Sequence, residues 1–399
     1  MLKFILSPVL LTCTVLSVMG QPYYDHKHTR HRFAQLTLGT GLRQAQVRGL
    51  SPYGENGNVF EQVFHIGGTH FWGHSEFYVD IPMFGSKVYS QGLETGARLL
   101  PWPIVEGKIR PSFNVSFVVP EFAINEGAVH NDLLFPLGLG FMYLKKDWIF
   151  DLSWSFTKRR SFSYYVSQQE QQSFQLPNTS FSLGIRKMLE TTLSAERSWQ
   201  DGSTQELTDK LATAKRLDGI TLAMGISSTW FLKESEYNQE KFPFLEHQIA
   251  LSPFADLGLG YYFHSRDWQA NIAWRGYTLK SEAFTQVQEI NRRSLGVEAF
   301  KFLGDYHGFV PFIGPIVSYE QLEYDDGTLH HEHSDINAGV TFGWDIRPNR
   351  LGVFILRTNL RYYPKLELNM PDGPRFDLSQ IELNFIQLVI FPQRIMGYK

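Results

Sequence analysis

Apolar residues recur at every second position along much of the chain, with small or polar residues between them. One stretch places Asp151, Ser153, Ser155 and Thr157 between the apolar residues Trp148, Phe150, Leu152, Trp154 and Phe156. A second stretch places Gln269, Asn271, Ala273 and Arg275 beside Trp268, Ala270, Ile272 and Trp274. Successive side chains of a β-strand point to opposite faces, so this period predicts strands with one apolar and one polar face.

These two stretches belong to a longer similarity. LGLGFMYLKKDWIFDLSW begins at Leu137, and LGLGYYFHSRDWQANIAW begins at Leu257. Each copy runs from alternating residues through a short charged turn and Asp-Trp into alternating residues again, which predicts a hairpin. Other echoes along the chain have different spacings, so a strict repeat architecture is not predicted. Similar hairpins are expected instead because each one meets the same surroundings on its two faces.

Alternation alone fits a soluble β-sandwich as well as a transmembrane barrel. Three further features favour the barrel: Trp and Phe lie near both ends of the apolar stripes, the strands have about ten residues, and the connections alternate in length. Short turns are predicted near 106–107, 145–147, 264–267, 304–308 and 347–350, and longer polar connections near 158–179, 234–247, 280–291 and 323–335. Segment 189–216 is long, although the alternation of short and long connections predicts a short turn at this position.

The predicted fold class is therefore all-β, with a single closed antiparallel transmembrane β-barrel over residues 69–392. Single bacterial chains use even strand numbers, so the roughly fifteen candidate strands reduce to about 14, within a range of about 12 to 16, and 31–43 is the doubtful one. Residues 21–68 are interpreted as an N-terminal segment with room for one extra strand or a plug. Segment 189–216 is interpreted as a periplasmic insert, and 393–399 as a C-terminal tail.

Composition and charge narrow the class of protein. Aromatic residues make up 15% of the chain and charged residues only 19%, with 33 glycines, as expected of many strands and turns with aromatic residues at interfaces. Residues 1–20 read as a signal peptide that contains the only cysteine, Cys13, and a lipobox is the weaker interpretation because Thr12 precedes it. The formal net charge of −3 argues against nucleic acid as a partner.

Several stretches resemble a known family. THFWGHSEFYVDIP from Thr69, ETGARLLPWPI from Glu94 and GWDIRPNRLGVFILRTNLRYYP from Gly343 are similar to outer-membrane β-barrel proteins of Bacteroidota-type Gram-negative bacteria, mostly without assigned function. The resemblance implies a location in the outer membrane rather than a reaction. Outer-membrane lipid and the assembly machinery are the expected partners. Many such barrels end on an aromatic residue, whereas here PQRIMGYK follows Phe391.

Polar residues in one strand phase form a candidate site. His70, His74, Glu76 and Asp80 are predicted to share a strand face that lines the lumen, together with Trp72 and Tyr78. A metal is not expected there, because His70 and His74 would lie about 13 Å apart at the usual rise per residue. The clusters DHKHTRH from Asp25 and HHEH from His330 are interpreted as solvated charge, with metal binding as the alternative.

Charged residues on several strands predict a ladder across the lumen. Its members are Glu94, Arg98, Asp151, Glu298, Asp345, Arg357 and Arg361. Trp148, Trp154, Trp268 and Trp274 are predicted to lie at the lipid interface. Neither the His-x-Ser-Asn-Gly motif of outer-membrane phospholipases nor a Gly-x-Ser-x-Gly elbow occurs in the sequence, so neither an enzyme nor a cofactor is expected. The first functional hypothesis is a passive channel or transporter for small polar or amphipathic solutes, and the alternative is a non-conducting accessory barrel that docks other envelope proteins.

Overall fold

The strands close into two separate rings rather than one. The computed structural model describes residues 34–47, 57–85, 89–123, 129–158, 161–189, 202–245, 253–305, 309–347, 351–371 and 373–395. Every pairing between neighbouring strands of the two rings is antiparallel. The all-β, closed antiparallel prediction is confirmed. The single ring of about fourteen strands is corrected to two rings of eight strands each.

Barrel 1 is built from the first half of the chain. Its strands are β1 (Ala34–Val47), β2 (Gly57–His70), β3 (Ser75–Phe84), β4 (Tyr89–Leu99), β5 (Ile109–Ala123), β6 (Val129–Asn131), β7 (Leu137–Lys145), β8 (Trp148–Phe156), β9 (Ser161–Tyr165), β10 (Gln171–Gln175) and β11 (Thr179–Leu189). The ring runs β1-β2-β3-β4-β5-β7-β8-β11 and closes where β11 pairs with β1. β6 pairs with the end of β5, and β9 and β10 form a separate hairpin.

Barrel 2 is built from the second half. Its strands are β12 (Gly219–Phe231), β13 (Phe254–Phe263), β14 (Trp268–Ala283), β15 (Gln286–Phe302), β16 (Phe309–Asp325), β17 (His330–Ile346), β18 (Phe354–Tyr363), β19 (Glu367–Leu368), β20 (Phe376–Asp377) and β21 (Gln380–Ile390). The ring closes where β21 pairs with β12, and β19 and β20 form a small sheet of their own.

Helices are short and few in the described ranges. They comprise the α-helices Gly202–Thr213, Glu236–Lys241 and Pro392–Ile395 and the 3-10 turns Phe71–Gly73 and His264–Arg266. Among the residues that the structure describes, no helix is long and apolar enough to span a membrane.

Segment 189–216 connects the two barrels. An even number of antiparallel strands begins and ends at the same end of a barrel. The chain therefore leaves β11 and enters β12 at one end, and the connection must pass from one ring to the other. Helix Gly202–Thr213 lies in it, with a Glu206–Lys210 ion pair of 2.7 Å, while residues 190–201 lie outside the described part. The segment interpreted as an insert in one barrel is the link between two.

The N-terminal boundary of the barrel also differs from the prediction. Segment 21–68 contributes β1, which was the doubtful strand, and most of β2, which was not predicted. The signal peptide at 1–20 and the DHKHTRH cluster lie outside the described residues. At the other end, the predicted tail begins within helix Pro392–Ile395, and residues 396–399 are not described.

The two similar stretches fold as hairpins with matching turns. Asp147 and Asp267 end these turns with left-handed φ angles of 72° and 49°. The carbonyl of each accepts a hydrogen bond from the next strand of its ring, from the Met188 N–H at 2.6 Å and the Phe302 N–H at 3.0 Å. The hairpins are the sixth and seventh strands of barrel 1 but the second and third of barrel 2. Similar surroundings, rather than equivalent positions, accompany the similar sequences.

Four strands of barrel 2 are longer than a membrane crossing needs. β14 has 16 residues, and β15, β16 and β17 have 17 each, whereas a tilted transmembrane strand needs about 9–11. Segments 280–291 and 323–335, which were predicted as long loops, are largely the ends of these strands joined by tight turns. We call the parts of β14–β17 that continue past the apolar surface the extension.

The two barrels contact each other side by side. The ring of Phe77 in β3 lies 5.8 Å from that of Trp344 in β17. At the other end of the contact, Val119 of β5 packs in one buried cluster with Trp230 of β12 and Leu383 of β21. The outer faces of β3 and β5 thus meet the outer faces of β12, β17 and β21.

Candidate functional site: barrel interiors and outer surface

The four predicted interface tryptophans all face outward. Trp148, Trp154, Trp268 and Trp274 are between 40% and 52% exposed on the outer faces of β8 and β14. Trp148 lies directly opposite Lys187, and Trp268 lies directly opposite Lys301. The lysine ammonium groups lie 5.9 Å and 6.0 Å from the respective ring centres. Such a pair suits a membrane boundary, where the indole sits in the interface and the lysine reaches water.

The apolar outer surface ends in a sharp rim on barrel 2. Trp274, Leu295, Tyr319 and Ile336 lie opposite one another in a row across β14–β17, and all are exposed. The next row toward the strand ends is Gly276, Arg293, Gln321 and Ser334. Closed rings leave no open sheet edge in the bilayer, and the apolar faces supply the surface that lipid requires. A transmembrane β-barrel requires both features, and the closed antiparallel barrel is the fold class predicted from the sequence.

The predicted polar strand face is split by a turn. Phe71–Gly73 separates β2 from β3, so residues 70–80 do not form one strand. Glu76 and Asp80 do line the interior of barrel 1. His70 faces outward and is buried by neighbouring rings, including Phe77 at 5.1 Å and Phe309 of barrel 2 at 6.2 Å. His74 lies exposed in the turn, with Nδ1 3.2 Å from the Leu100 carbonyl oxygen. Two of the four residues are therefore placed elsewhere than predicted.

The predicted charge ladder is divided between the barrels. Glu94, Arg98 and Asp151 belong to barrel 1, whereas Glu298, Asp345, Arg357 and Arg361 belong to barrel 2. All seven face an interior, but no single lumen contains them. The correction concerns the number of rings, because the inward direction of these seven residues agrees with the prediction.

In barrel 1 the charges form a buried layer across the middle of the ring. Glu76 accepts a hydrogen bond of 2.9 Å from Arg98 Nη1 and lies 3.0 Å from Arg186 Nε. Asp151 lies 3.0 Å from Arg186 Nη1 and 3.8 Å from Arg98 Nη2. Asp80 Oδ1 lies 2.6 Å from His65 Nδ1. Buried charges of this kind persist only when paired, and here six residues from five strands lie within ion-pair distance of one another.

A second set of charges extends this layer toward the end of barrel 1 where β1 connects to β2. Arg43 donates to Glu61 at 2.5 Å and to Glu94 at 3.1 Å. Glu94 also accepts a 2.5 Å hydrogen bond from the Tyr78 hydroxyl. A cavity of about 10 Å³ lies beside the layer, which is room for about one water molecule.

Barrel 2 contains an equivalent charged layer. Arg361 donates to Glu298 at 2.7 Å and to Asp256 at 2.6 Å. Arg275 donates to the same Glu298 oxygen at 3.0 Å and to the Tyr363 hydroxyl at 3.0 Å. Carboxylates and guanidinium groups from β13, β14, β15 and β18 are thereby joined in one network.

The network of barrel 2 continues toward both ends of the ring. Arg292 holds Glu320 with two hydrogen bonds of 2.8 Å and 2.9 Å and also donates to Glu382. Arg357 grips Asp345 in the same bidentate way, at 2.7 Å and 3.0 Å. Bidentate pairs fix both side chains as well as neutralising them.

Apolar layers close each interior on both sides of its charges. In barrel 2 one cluster contains Tyr262, Phe300, Phe302, Val310, Phe312, Val389 and Phe391, and the other contains Phe231, Tyr237, Leu279, Ile290, Tyr324, Leu368 and Phe376. In barrel 1 the clusters contain Leu100, Ile104, Met142, Leu144, Ile149 and Met188, and Tyr89, Val118, Phe122, Leu134, Tyr164 and Leu176. Eight-stranded barrels are narrow enough for side chains to fill them.

Sequence reasoning missed about half of the charged residues in these layers. They are Arg43, Glu61, His65, Arg186, Asp256, Arg292, Glu320 and Glu382, and Arg275 was recognised as polar but not as a network member. A usable signal was present: each is a charged residue in the polar phase of an alternating strand. Arg43, Glu61 and His65 lay in the segment left outside the predicted barrel.

Comparisons with known proteins show low similarity. No family model matches the chain, and no curated protein matches it. Neisserial surface protein A is 13% identical with a TM-score of 0.32, covering 44% of this chain and 97% of that one. Ail, the attachment invasion locus protein of Yersinia pestis, is 11% identical with a TM-score of 0.28, covering 43% and 97%. An outer-membrane channel from Pseudomonas putida F1 is 7% identical with a TM-score of 0.24, covering 93% and 98%. Similarities this low carry no argument about function.

Proposed function

We propose that this outer-membrane protein is a non-conducting double barrel that serves as an accessory protein. It docks another envelope protein through the end of the barrels that carries the extension of β14–β17. The observation that carries the proposal is the filling of both interiors by an apolar, a charged and a second apolar layer. A solute crossing either barrel would have to displace all three layers. The same packing gives no support to the passive channel or transporter that was the first hypothesis from sequence.

The charged layers support a structural role rather than a selectivity filter. In a pore, charged rings face water and set the field that ions cross. Here Arg275, Arg292 and Glu382 are fully buried and bonded to one another or to further side chains. Such groups hold strands together, and breaking one pair leaves an uncompensated buried charge. Neither an enzymatic reaction nor a cofactor is part of this proposal.

Conductance measurements test the closed interior. Purified protein that passes a heat-modifiability check should show no conductance steps in planar bilayers, and its proteoliposomes should swell no faster than empty vesicles. Arg357→Gln changes the interior, and Arg293→Gln changes an exposed position on the outer face of β15. The proposal would be contradicted if the wild type conducted and if Arg357→Gln, but not Arg293→Gln, changed that conductance, because the current would then pass through the barrel interior.

Photo-crosslinking in intact cells tests docking. The extension of β14–β17 stands beyond the apolar rim and offers polar side chains to a partner. A photoreactive residue in place of Gln321 should form an adduct with another protein. The same residue in place of Val317, on the same face of β16 within the apolar surface, should not. Absence of adducts at Gln321 and at further positions along the extension would overturn the docking role and leave a purely structural one.

A further inference from the structure

The hairpin of β16 and β17 places two acidic side chains directly against each other. On the outer face of the extension, Glu323 lies opposite Glu332, and Asp325 lies opposite His330. Like charges directly opposite each other on neighbouring strands destabilise a hairpin. The strand pairing therefore creates a position where a bound cation would remove an unfavourable interaction.

The imidazole of His330 lies within the same group of side chains. Its Nε2 atom is 3.5 Å from Glu332 Oε1, and its Nδ1 atom is 3.5 Å from Asp325 Oδ2. Both distances are longer than those of good N–H···O hydrogen bonds. One ligand atom each from Glu323, His330 and Glu332 can be chosen so that all three lie within 4.8 Å of one another.

We propose that Glu323, His330 and Glu332 bind a divalent transition-metal ion of the zinc type, with water in the open position. One imidazole and two carboxylates form a donor set that suits zinc, whereas magnesium and calcium prefer oxygen atoms alone. Zinc bonds of about 2.0–2.2 Å in a tetrahedral site require ligand atoms roughly 3.4 Å apart. The His330 and Glu332 side chains are 52% and 77% exposed, so they are free to make this small adjustment.

Asp325 is placed as a positioning residue for the histidine. A histidine that binds metal through one ring nitrogen usually donates the other N–H to a carboxylate, which fixes the ring. Here Nε2 faces Glu332 and Nδ1 faces Asp325. The other oxygen of Asp325 accepts a 2.8 Å hydrogen bond from the N–H of Gly327, whose φ of 82° forms the turn. The turn thus holds the aspartate that would orient the ligand.

The HHEH stretch was interpreted from sequence as solvated charge, with metal binding as the alternative, and no ligand set was assigned. His330 and Glu332 face outward on β17, whereas His331 and His333 lie in the opposite phase. Only two of the four residues in that stretch join the group, and the third ligand, Glu323, comes from another strand. Sequence spacing alone does not reveal this combination.

Zinc titration of the full-length protein tests the site. Protein purified in detergent and stripped with a chelator is titrated with Zn²⁺ alone, and bound zinc is measured by equilibrium dialysis. Wild type should bind one more zinc ion per chain at saturation than His330→Ala or Glu323→Gln. Asp325→Asn should weaken that ion by about tenfold or more, the usual effect of losing an outer carboxylate. His333→Ala, on the same strand but the other face, should bind as wild type does.

A stability measurement provides a second readout. A ligand that binds only the folded state raises the melting temperature. Zinc should therefore raise the melting temperature of wild type but not of His330→Ala, with heat modifiability showing that both are assembled. Equal zinc binding by wild type and His330→Ala would overturn the site. An equal loss of zinc in His333→Ala would also overturn it, because binding would then be a general property of the histidine-rich strand.

Discussion

The indole ring of Trp230 in barrel 2 lies 6.0 Å from the phenyl ring of Phe117 in barrel 1. Both side chains belong to the outer faces of their barrels, which elsewhere present exposed apolar residues. Trp230 is buried at this position, so barrel 1 covers it where lipid would cover the rest of the outer surface of barrel 2. Each ring closes on itself, and the apolar outer faces of the two barrels pack against each other.

A charge introduced into the apolar outer surface should impair assembly according to depth. Ile272 lies in the middle of the outward-facing residues of β14, and Thr278 lies on the same face of the same strand beyond the Trp274 row. Ile272→Arg should cost about 2–4 kcal/mol, because a cation near the bilayer midplane is poorly solvated. Thr278→Arg should be almost neutral. Folding into lipid vesicles, followed by gel mobility and urea unfolding, measures both, and equal effects would refute the assigned depth.

Breaking one buried ion pair should destabilise barrel 2 more than removing it entirely. Arg357 and Asp345 form a bidentate pair with both side chains fully buried. Arg357→Leu leaves the Asp345 carboxylate with only its longer contact of 3.4 Å to Arg347 and should cost about 3 kcal/mol, the lower end for a broken buried pair, whereas Arg357→Leu with Asp345→Leu should recover much of that loss. Urea unfolding in vesicles is the measurement. Additive losses in the double variant would show that the two groups are solvated independently and that the interior is wet.

The turn between β16 and β17 should stay ordered in mild acid. Burial acts to raise the pKa of Asp326, but hydrogen bonds from the Thr328 hydroxyl and from the N–H groups of Thr328 and Leu329 outweigh it and leave the pKa below the usual 3.8. A lowered pKa contributes stability above the unfolded-state pKa, and that stability disappears as pH falls through the folded-state value.

Hydrogen exchange of the Leu329 amide measures this turn. Protection should be constant from pH 7 to about pH 5, after correction for intrinsic exchange, and should fall only below the ordinary aspartate range. Asp326→Asn should reduce protection at every pH and remove the acid transition. Loss of protection near pH 6 in wild type would mean that a histidine, rather than Asp326, controls the turn.

The outward and inward faces were predictable because they depend on a local period of two. Leu152 and Ile272 face outward, while Asp151 and Asn271 are buried inside, as the alternation indicated. The phase was wrong only where the strand did not continue. Phe71 has a φ of 51°, and the turn it begins moves His70 to the outer face while Glu76 points inward. A three-residue turn flanked by alternating residues leaves little trace in the sequence pattern.

The division into two rings was not predictable from alternation. Pairing β11 with β1 or with β12 leaves every side chain on the same face, so the pattern is identical in one ring and in two. In the unpredicted strand β2, Gly67 and Gly68 interrupt the alternation of apolar and polar residues. A Cβ atom on Gly67 would lie 2.8 Å from the Phe77 carbonyl oxygen and 3.0 Å from Thr37 Oγ1, so close packing removes the side chain that would have marked the strand.

Closure of barrel 1 through β1 and β11 is the most direct test of the double barrel. Leu42 lies opposite Leu183 in this pairing, whereas one large ring would bring β1 against β21 and hence near Ile386. Cys13 is the only native cysteine, so a Cys13→Ser background leaves introduced pairs unambiguous. In membranes treated with a thiol oxidant or a short bismaleimide, Leu42→Cys with Leu183→Cys should crosslink, and Leu42→Cys with Ile386→Cys should not. A crosslink in the second pair and none in the first would contradict the two closed rings.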